Sequence, residues 1–110
     1  MNKKFEWGEQ NTLVDTKKYQ TNIVTLDETK TTDYVKHSFA DKYILILEGS
    51  GIVTIDTVDF TVSTNQTMYI KFGSEHLYSN SSEENKLIVL ETLVSEDLNQ
   101  DTIDTIKSIN

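Results

Sequence analysis

The sequence predicts an all-β domain, and three observations carry that prediction. Ile, Val and Thr number 10, 8 and 15 among 110 residues, against a single Ala, so side chains that suit a pleated strand outnumber the best helix former. Apolar stretches recur every eight to twelve residues with turn signals between them, the spacing of a sandwich or small barrel. No composition shift, linker or repeat divides the chain, and a chain of this length forms one core that buries about 65% of the surface exposed when unfolded. A single domain over residues 1–110 follows, with a barrel core at about 19–94 and a C-terminal arm at about 95–110.

The elements follow in order. Residues 19–26 are rich in β-branched side chains and predict a strand, and residues 27–32 are polar and turn-like. Residues 34–38 predict a second strand. Residues 43–47, Tyr-Ile-Leu-Ile-Leu, are apolar at every position, as in a strand covered on both faces. One face fills the barrel; the other is covered by a partner subunit or by the chain's own ends. Those ends are short and polar, so a homodimer is expected. Glu48-Gly-Ser-Gly51 is a turn, and residues 52–62 predict a hairpin with its tip near 56–59, without the usual Asn-Gly pair. Residues 67–72 and 87–94 complete the strands, with a turn at 73–75. Beyond them Leu98, Ile103, Ile106 and Ile109 recur at near-helical spacing. They predict a short C-terminal helix, with Ser95 at its cap and Glu96 and Asp97 near its positive end, or else an irregular arm.

Charge and composition exclude several functions. Eighteen acids face ten Lys for a net charge of −8, and no Arg is present. Nucleic acid and anionic membrane are poor partners for such a surface, and the same deficit weighs against a phosphate-bearing substrate. Without Cys there is no disulfide, zinc ribbon or thiol nucleophile, so any metal sits on His, carboxylate or amide groups. Lys3 and Lys4 are followed by a stretch broken by Glu6, Gly8 and Glu9, which is no signal-peptide core. No run approaches ~20 apolar residues, and a soluble, cytoplasmic protein is expected.

The two histidines stand beside glycine-bearing strand patterns. His37 is followed by Asp41 and then Glu48-Gly-Ser-Gly51; His76 lies in Tyr69-Ile-Lys-Phe-Gly-Ser-Glu-His-Leu-Tyr-Ser-Asn80. This resembles the cupin family, whose second motif is matched by Gly73, His76 and Asn80, with Lys71 where Pro is usual. Trp7-Gly8, Asn65-Gln66-Thr67-Met68-Tyr69-Ile70, and Glu91 followed by Ser95-Glu-Asp-Leu98 look like the cupin domain of type II mannose-6-phosphate isomerases. The resemblance spans about residues 7–98.

It implies a jelly-roll barrel whose mouth binds a small-molecule sugar or sugar phosphate. It also implies, for an enzyme, aldose–ketose isomerisation through a cis-enediol; the alternative is a ligand-binding or regulatory module that has lost the metal site. In the family pattern the second histidine of the first motif falls on His37, the first ligand position on Val35 and the glutamate on Lys42. The implied ligand set is His37, Asp41 and His76, holding one divalent Zn, Mn or Fe ion, or no metal, given Val35 and Lys42 at ligand positions. Lys42 and Glu48 are the candidate catalytic base or electrostatic groups. The arginines expected beside the ligands are replaced by Ala40 and Leu77. Trp7 is either a platform for a sugar ring or a staple of the N-terminal segment, the staple being favoured by Phe5 beside it.

Overall fold

The computed structural model describes residues 2–106. They form two antiparallel sheets. One has six strands in the order β1 (Asn2–Phe5), β2 (Gly8–Asp15), β3 (Tyr19–Leu26), β10 (Leu87–Val94), β5 (Asp41–Glu48) and β8 (Thr67–Ile70). The other has five, in the order β11 (Ile103–Thr105), β4 (Val35–His37), β9 (His76–Ser79), β6 (Ser50–Ile55) and β7 (Val58–Ser63). Sequence-distant strands lie side by side, as β10 does between β3 and β5, and the two sheets face each other as a jelly roll.

Alternation decides which side chains meet inside. On β10 Leu87, Val89, Glu91 and Leu93 point inward; on β3 Asn22, Val24 and Leu26 do; on β5 Lys42, Ile44 and Ile46 do. Leu26, Ile46, Val53, Leu87 and Val89 are sealed from solvent and join Trp7, Val24, Ile44, Val62, Ile70 and Tyr78 in one core. Full burial of each aliphatic side chain contributes about 1.5–3 kcal/mol.

Several expected elements are modified. The N-terminal segment pairs as β1 and β2 onto the edge of β3, which lengthens the sheet beyond the expected barrel core. Gly8 permits this: its φ is +146°, and a Cβ there would run into the carbonyl of Thr25. The hairpin tip falls on Asp56 and Thr57, both at positive φ without glycine. Asp56 is clamped by Glu75, whose amide donates to Asp56 Oδ1 at 2.9 Å, and the Thr57 amide donates to Tyr34 Oη.

The expected C-terminal helix reduces, among the described residues, to a 3₁₀ turn at Leu98–Gln100 capped by Asp97 rather than Ser95. Its apolar periodicity has another cause, because Ile103 lies on β11, paired with His37 of β4. Ile109 falls outside the described residues. Gly73 and Asn80 serve local geometry. Gly73 takes φ +82°, and the buried Asn80 amide donates to the carbonyls of Leu26, Asp27 and Asn85.

Candidate functional site

The mouth of the barrel holds a cavity of about 240 Å³ walled by Trp7, Phe5, Val24, Leu93 and Ile103. Its floor is polar and drawn from both sheets. The six-stranded sheet contributes Asn22, Lys42 and Glu91, three inward positions on adjacent strands, with Glu91 opposite Asn22 and Leu93 opposite Lys42. The five-stranded sheet contributes His37, His76 and Tyr78.

These groups form a connected network. Lys42 Nζ donates to His76 Nε2 at 2.8 Å and lies 3.4 Å from Glu91 Oε1. It also stands 5.6 Å above the Tyr78 ring, a favourable place for a desolvated cation. Tyr78 Oη donates to Glu91 Oε1 at 2.7 Å, and Asn22 Nδ2 donates to Glu91 Oε2 at 3.2 Å. His76 Nδ1 faces the Ser74 carbonyl at 3.2 Å, so Nδ1 carries the hydrogen and Nε2 accepts from lysine. The two imidazoles stack with centroids 5.9 Å apart.

The electrostatics follow. Burial, reinforced by the Lys42 ammonium, lowers His76 to about 3 and holds His37 below its ordinary value, so both rings are neutral at neutral pH. Burial alone would raise Glu91, but Lys42 and the hydrogen bonds from Tyr78 and Asn22 outweigh it and keep the carboxylate below its usual range. The Tyr78 phenol is pushed up by burial and by Glu91. This is a buried ion pair whose remaining lone pairs are hydrogen-bonded, the condition under which such a pair is tolerated.

A second carboxylate arrives from the arm. Asp101 Oδ2 lies 2.8 Å from His37 Nδ1, while Asp101 Oδ1 accepts from the amides of Phe39 at 2.7 Å and Ala40 at 3.0 Å. Desolvation pushes Asp101 up, but the His37 ring and the two amides prevail and hold it below the usual carboxylate value.

The structure therefore gathers His37, Lys42 and His76 and leaves Asp41 and Glu48 outside. Asp41 is one residue from Lys42 and faces the opposite side of the sheet, where its Oδ1 accepts from the Phe72 amide. Glu48 is exposed at the far end of β5, in a separate groove with Asn80 and Lys86; alternation fails there because a bulge at Ile88/Val89 shifts the register. Among the described residues no three His, Asp or Glu groups are arranged to hold a metal ion. Lys42 presents an ammonium to His76 Nε2 at the place a cation would need, so the donor set does not fit the expected Zn, Mn or Fe ion. Trp7 stacks on Phe5 at 4.5 Å, is buried in the core cluster and also lines the cavity.

Asn22, Tyr78 and Asp101 lie in the site without having been named for it from the sequence, and Glu91, which carries the family resemblance, was given no role in it. Asn22 and Glu91 had a signal, since each is polar at an inward position of an otherwise apolar strand face. Asp101 had none, because its partner lies 64 positions away.

Comparison with known proteins agrees with this fold. The family described as mannose-6-phosphate isomerase C-terminal matches residues 2–108. The mannose-1-phosphate guanylyltransferases of Escherichia coli and Klebsiella pneumoniae are 31% and 30% identical to this chain over 74 residues. The match covers 67% of this chain and 16% of each enzyme, so the chain spans a small part of those relatives' length. Among solved structures, the capsular polysaccharide assembling protein CapF of Staphylococcus aureus superposes with a TM-score of 0.83 at 14% identity, over 98% of this chain and 34% of its own. A cupin-2 domain from Rhodospirillum rubrum gives 0.77 at 14% identity over 91% and 66%. A putative sugar phosphate isomerase from Acidithiobacillus ferrooxidans gives 0.67 at 20% identity over 80% and 56%. The fold is that of a cupin.

Proposed function

This chain belongs to the mannose-6-phosphate isomerase C-terminal family, and from that premise we propose that it is a metal-independent cupin that binds a sugar in the mouth of its barrel. The observation that carries this reading is Lys42, whose ammonium sits 2.8 Å from His76 Nε2 and 3.4 Å from Glu91 where the family pattern has an acidic metal ligand. A fixed positive charge there offers a partner for a carbonyl or hydroxyl oxygen. The indole and phenyl rings of Trp7 and Phe5 on the wall offer apolar area to the C–H face of a pyranose.

The sugar unit inside the cavity carries no phosphate in this reading. The chain has no Arg, the lysine on the cavity is paired with Glu91, and Asp33 is a further acid on the lining. Among the described residues on the lining a dianionic group would meet no cation beyond the paired Lys42 and no bidentate fork. Conversion of mannose 6-phosphate to fructose 6-phosphate is thus expected to be weak or absent.

The test is a titration of D-mannose, D-fructose, D-glucose and mannose 6-phosphate followed by the ring-proton resonances of His37 and His76, with and without EDTA. Saturable shifts with at least one unphosphorylated sugar, unchanged by EDTA, are expected. Binding confined to mannose 6-phosphate, or lost on chelation, would refute the reading.

A further inference from the structure

Residues 2–15 form a hairpin that the core does not account for: of them only Trp7 joins the core cluster, and every residue of β1 is exposed. The inner face of this hairpin continues the cavity outward. Directly opposed residues of antiparallel strands share a face, so the inward Val24 of β3 is followed by Gln10 of β2 and then by Lys3 of β1. That row passes from buried through half-buried to exposed. Two residues along the strands, the buried Asn22 is followed by Thr12, which donates to Asn22 Oδ1 at 2.7 Å. The aromatic wall takes the same course, since Phe5, 39% exposed, stacks within 8° of parallel on the buried Trp7. The result is a polar shelf with an aromatic border, continuous with the cavity and open to water.

Hydrogen-bonding capacity is free where the shelf meets the cavity. Floor groups such as Lys42, Tyr78 and Glu91 bond to one another. Gln10, Asp33 and Thr105 also line the cavity, and among the described residues their side chains make no hydrogen bond or ion pair. A carboxamide, a carboxylate and a hydroxyl together supply the donors and acceptors that sugar hydroxyls need. The unpaired acid and the net charge of −8 favour a neutral ligand. The cavity itself, about 240 Å³, is smaller than the roughly 300–1,000 Å³ of pockets that take drug-sized ligands, and it has room for one sugar ring but not two.

We propose that the ligand is a neutral oligosaccharide whose ring-closed terminal sugar occupies the cavity while the sugar glycosidically linked to it lies on the shelf against Gln10, Thr12 and Lys3. This rests on the sugar-binding reading of the cavity and names the ligand class. The glycosidic bond keeps the terminal ring closed, so no free carbonyl is needed, and the hairpin is the element that selects a chain over a single sugar.

The experiment compares the mannobioses, maltose and cellobiose with the methyl glycosides of their non-reducing sugars, and with free D-mannose and D-glucose, on the full chain in EDTA by calorimetry and ¹H,¹⁵N NMR. At least one disaccharide should bind ~10-fold or more tighter than its methyl glycoside, the scale of one or two net hydrogen bonds. The amide resonances of Lys3 and Thr12 should move with that disaccharide and stay in place with the methyl glycoside. Gln10→Ala should cut the disaccharide's advantage by at least ~3-fold. Monosaccharides that bind while no disaccharide binds more tightly would overturn the inference and leave the binding reading intact. So would binding of a free sugar with none of the methyl glycosides, or an advantage that Gln10→Ala leaves unchanged. If no sugar of either size binds, the sugar-binding reading fails and this inference fails with it.

Discussion

Lys42 and Glu91 are each 5% exposed, so neither charge has water to fall back on, and each depends on the other. Removing one partner of a buried pair costs about 3–5 kcal/mol, whereas replacing both by apolar groups of similar volume is often neutral. Lys42→Met should therefore lower the unfolding free energy by about 3 kcal/mol, and Lys42→Met with Glu91→Met should regain most of the loss, both measured by urea denaturation. An equal or larger loss in the double variant would mean that the pair does not hold the site together. The histidines add a pH dependence. His76 is lowered to about 3 by burial and by Lys42, so between that value and about 6.5 the unfolded chain binds a proton that the folded chain refuses. The stability this contributes is full above pH 6.5 and is lost as the pH falls toward 3, at about 1.4 kcal/mol per pH unit. His37, lowered as well, adds the same sign. Unfolding free energy at pH 5 should lie about 2 kcal/mol or more below that at pH 7, with a shallower slope in His76→Gln. A flat profile would contradict the buried, neutral imidazoles.

At the scale of elements, strand parity carries most of what the sequence could reveal. Ile44 and Ile46 belong to the core, and a step of two places Lys42 with them and Asp41 on the other face. The family spacing left Asp41 eligible as a ligand; the parity of β5 places it on the face opposite Lys42. The same rule exposes Asn22 and Glu91 as polar groups on apolar strand faces. What parity does not reveal is pairing with distant strands. Every residue of β1 is exposed, and β11 is three exposed residues held by β4, so neither has an apolar pattern to read. The arm matters all the same, since it delivers Asp101. Asp101→Ala should leave the Phe39 and Ala40 amides without acceptors, at a cost of about 1–3 kcal/mol, and hydrogen exchange at those two amides should rise well above that of their neighbours. Unchanged protection there would show that Asp101 does not fasten the arm.

At the scale of the whole molecule, the outer face of the six-stranded sheet carries exposed apolar side chains that the fold itself does not cover. Tyr43 and Tyr69 pack together at 5.0 Å while each stays half exposed, and Leu47, Val94 and Tyr19 are exposed large hydrophobics of the same sheet. A face of this composition is expected to be covered by a second copy of the chain. Light scattering at micromolar concentration should give twice 12.6 kDa, and Tyr43→Asp with Tyr69→Asp should halve it. A mass of one chain in the parent would refute the dimer.

The metal-independent reading requires Lys42 to stand where a metal would stand, and metal titration decides it. The chain, freed of metal by chelation and then dialysed, is titrated with Zn²⁺, Mn²⁺ and Fe²⁺ in turn while its melting temperature and its bound metal are measured. A ligand that prefers the folded state must raise the melting temperature. No saturable rise, no stoichiometric uptake and no difference between the parent and His76→Ala are expected. One equivalent bound with a rise in melting temperature that His76→Ala abolishes would contradict it.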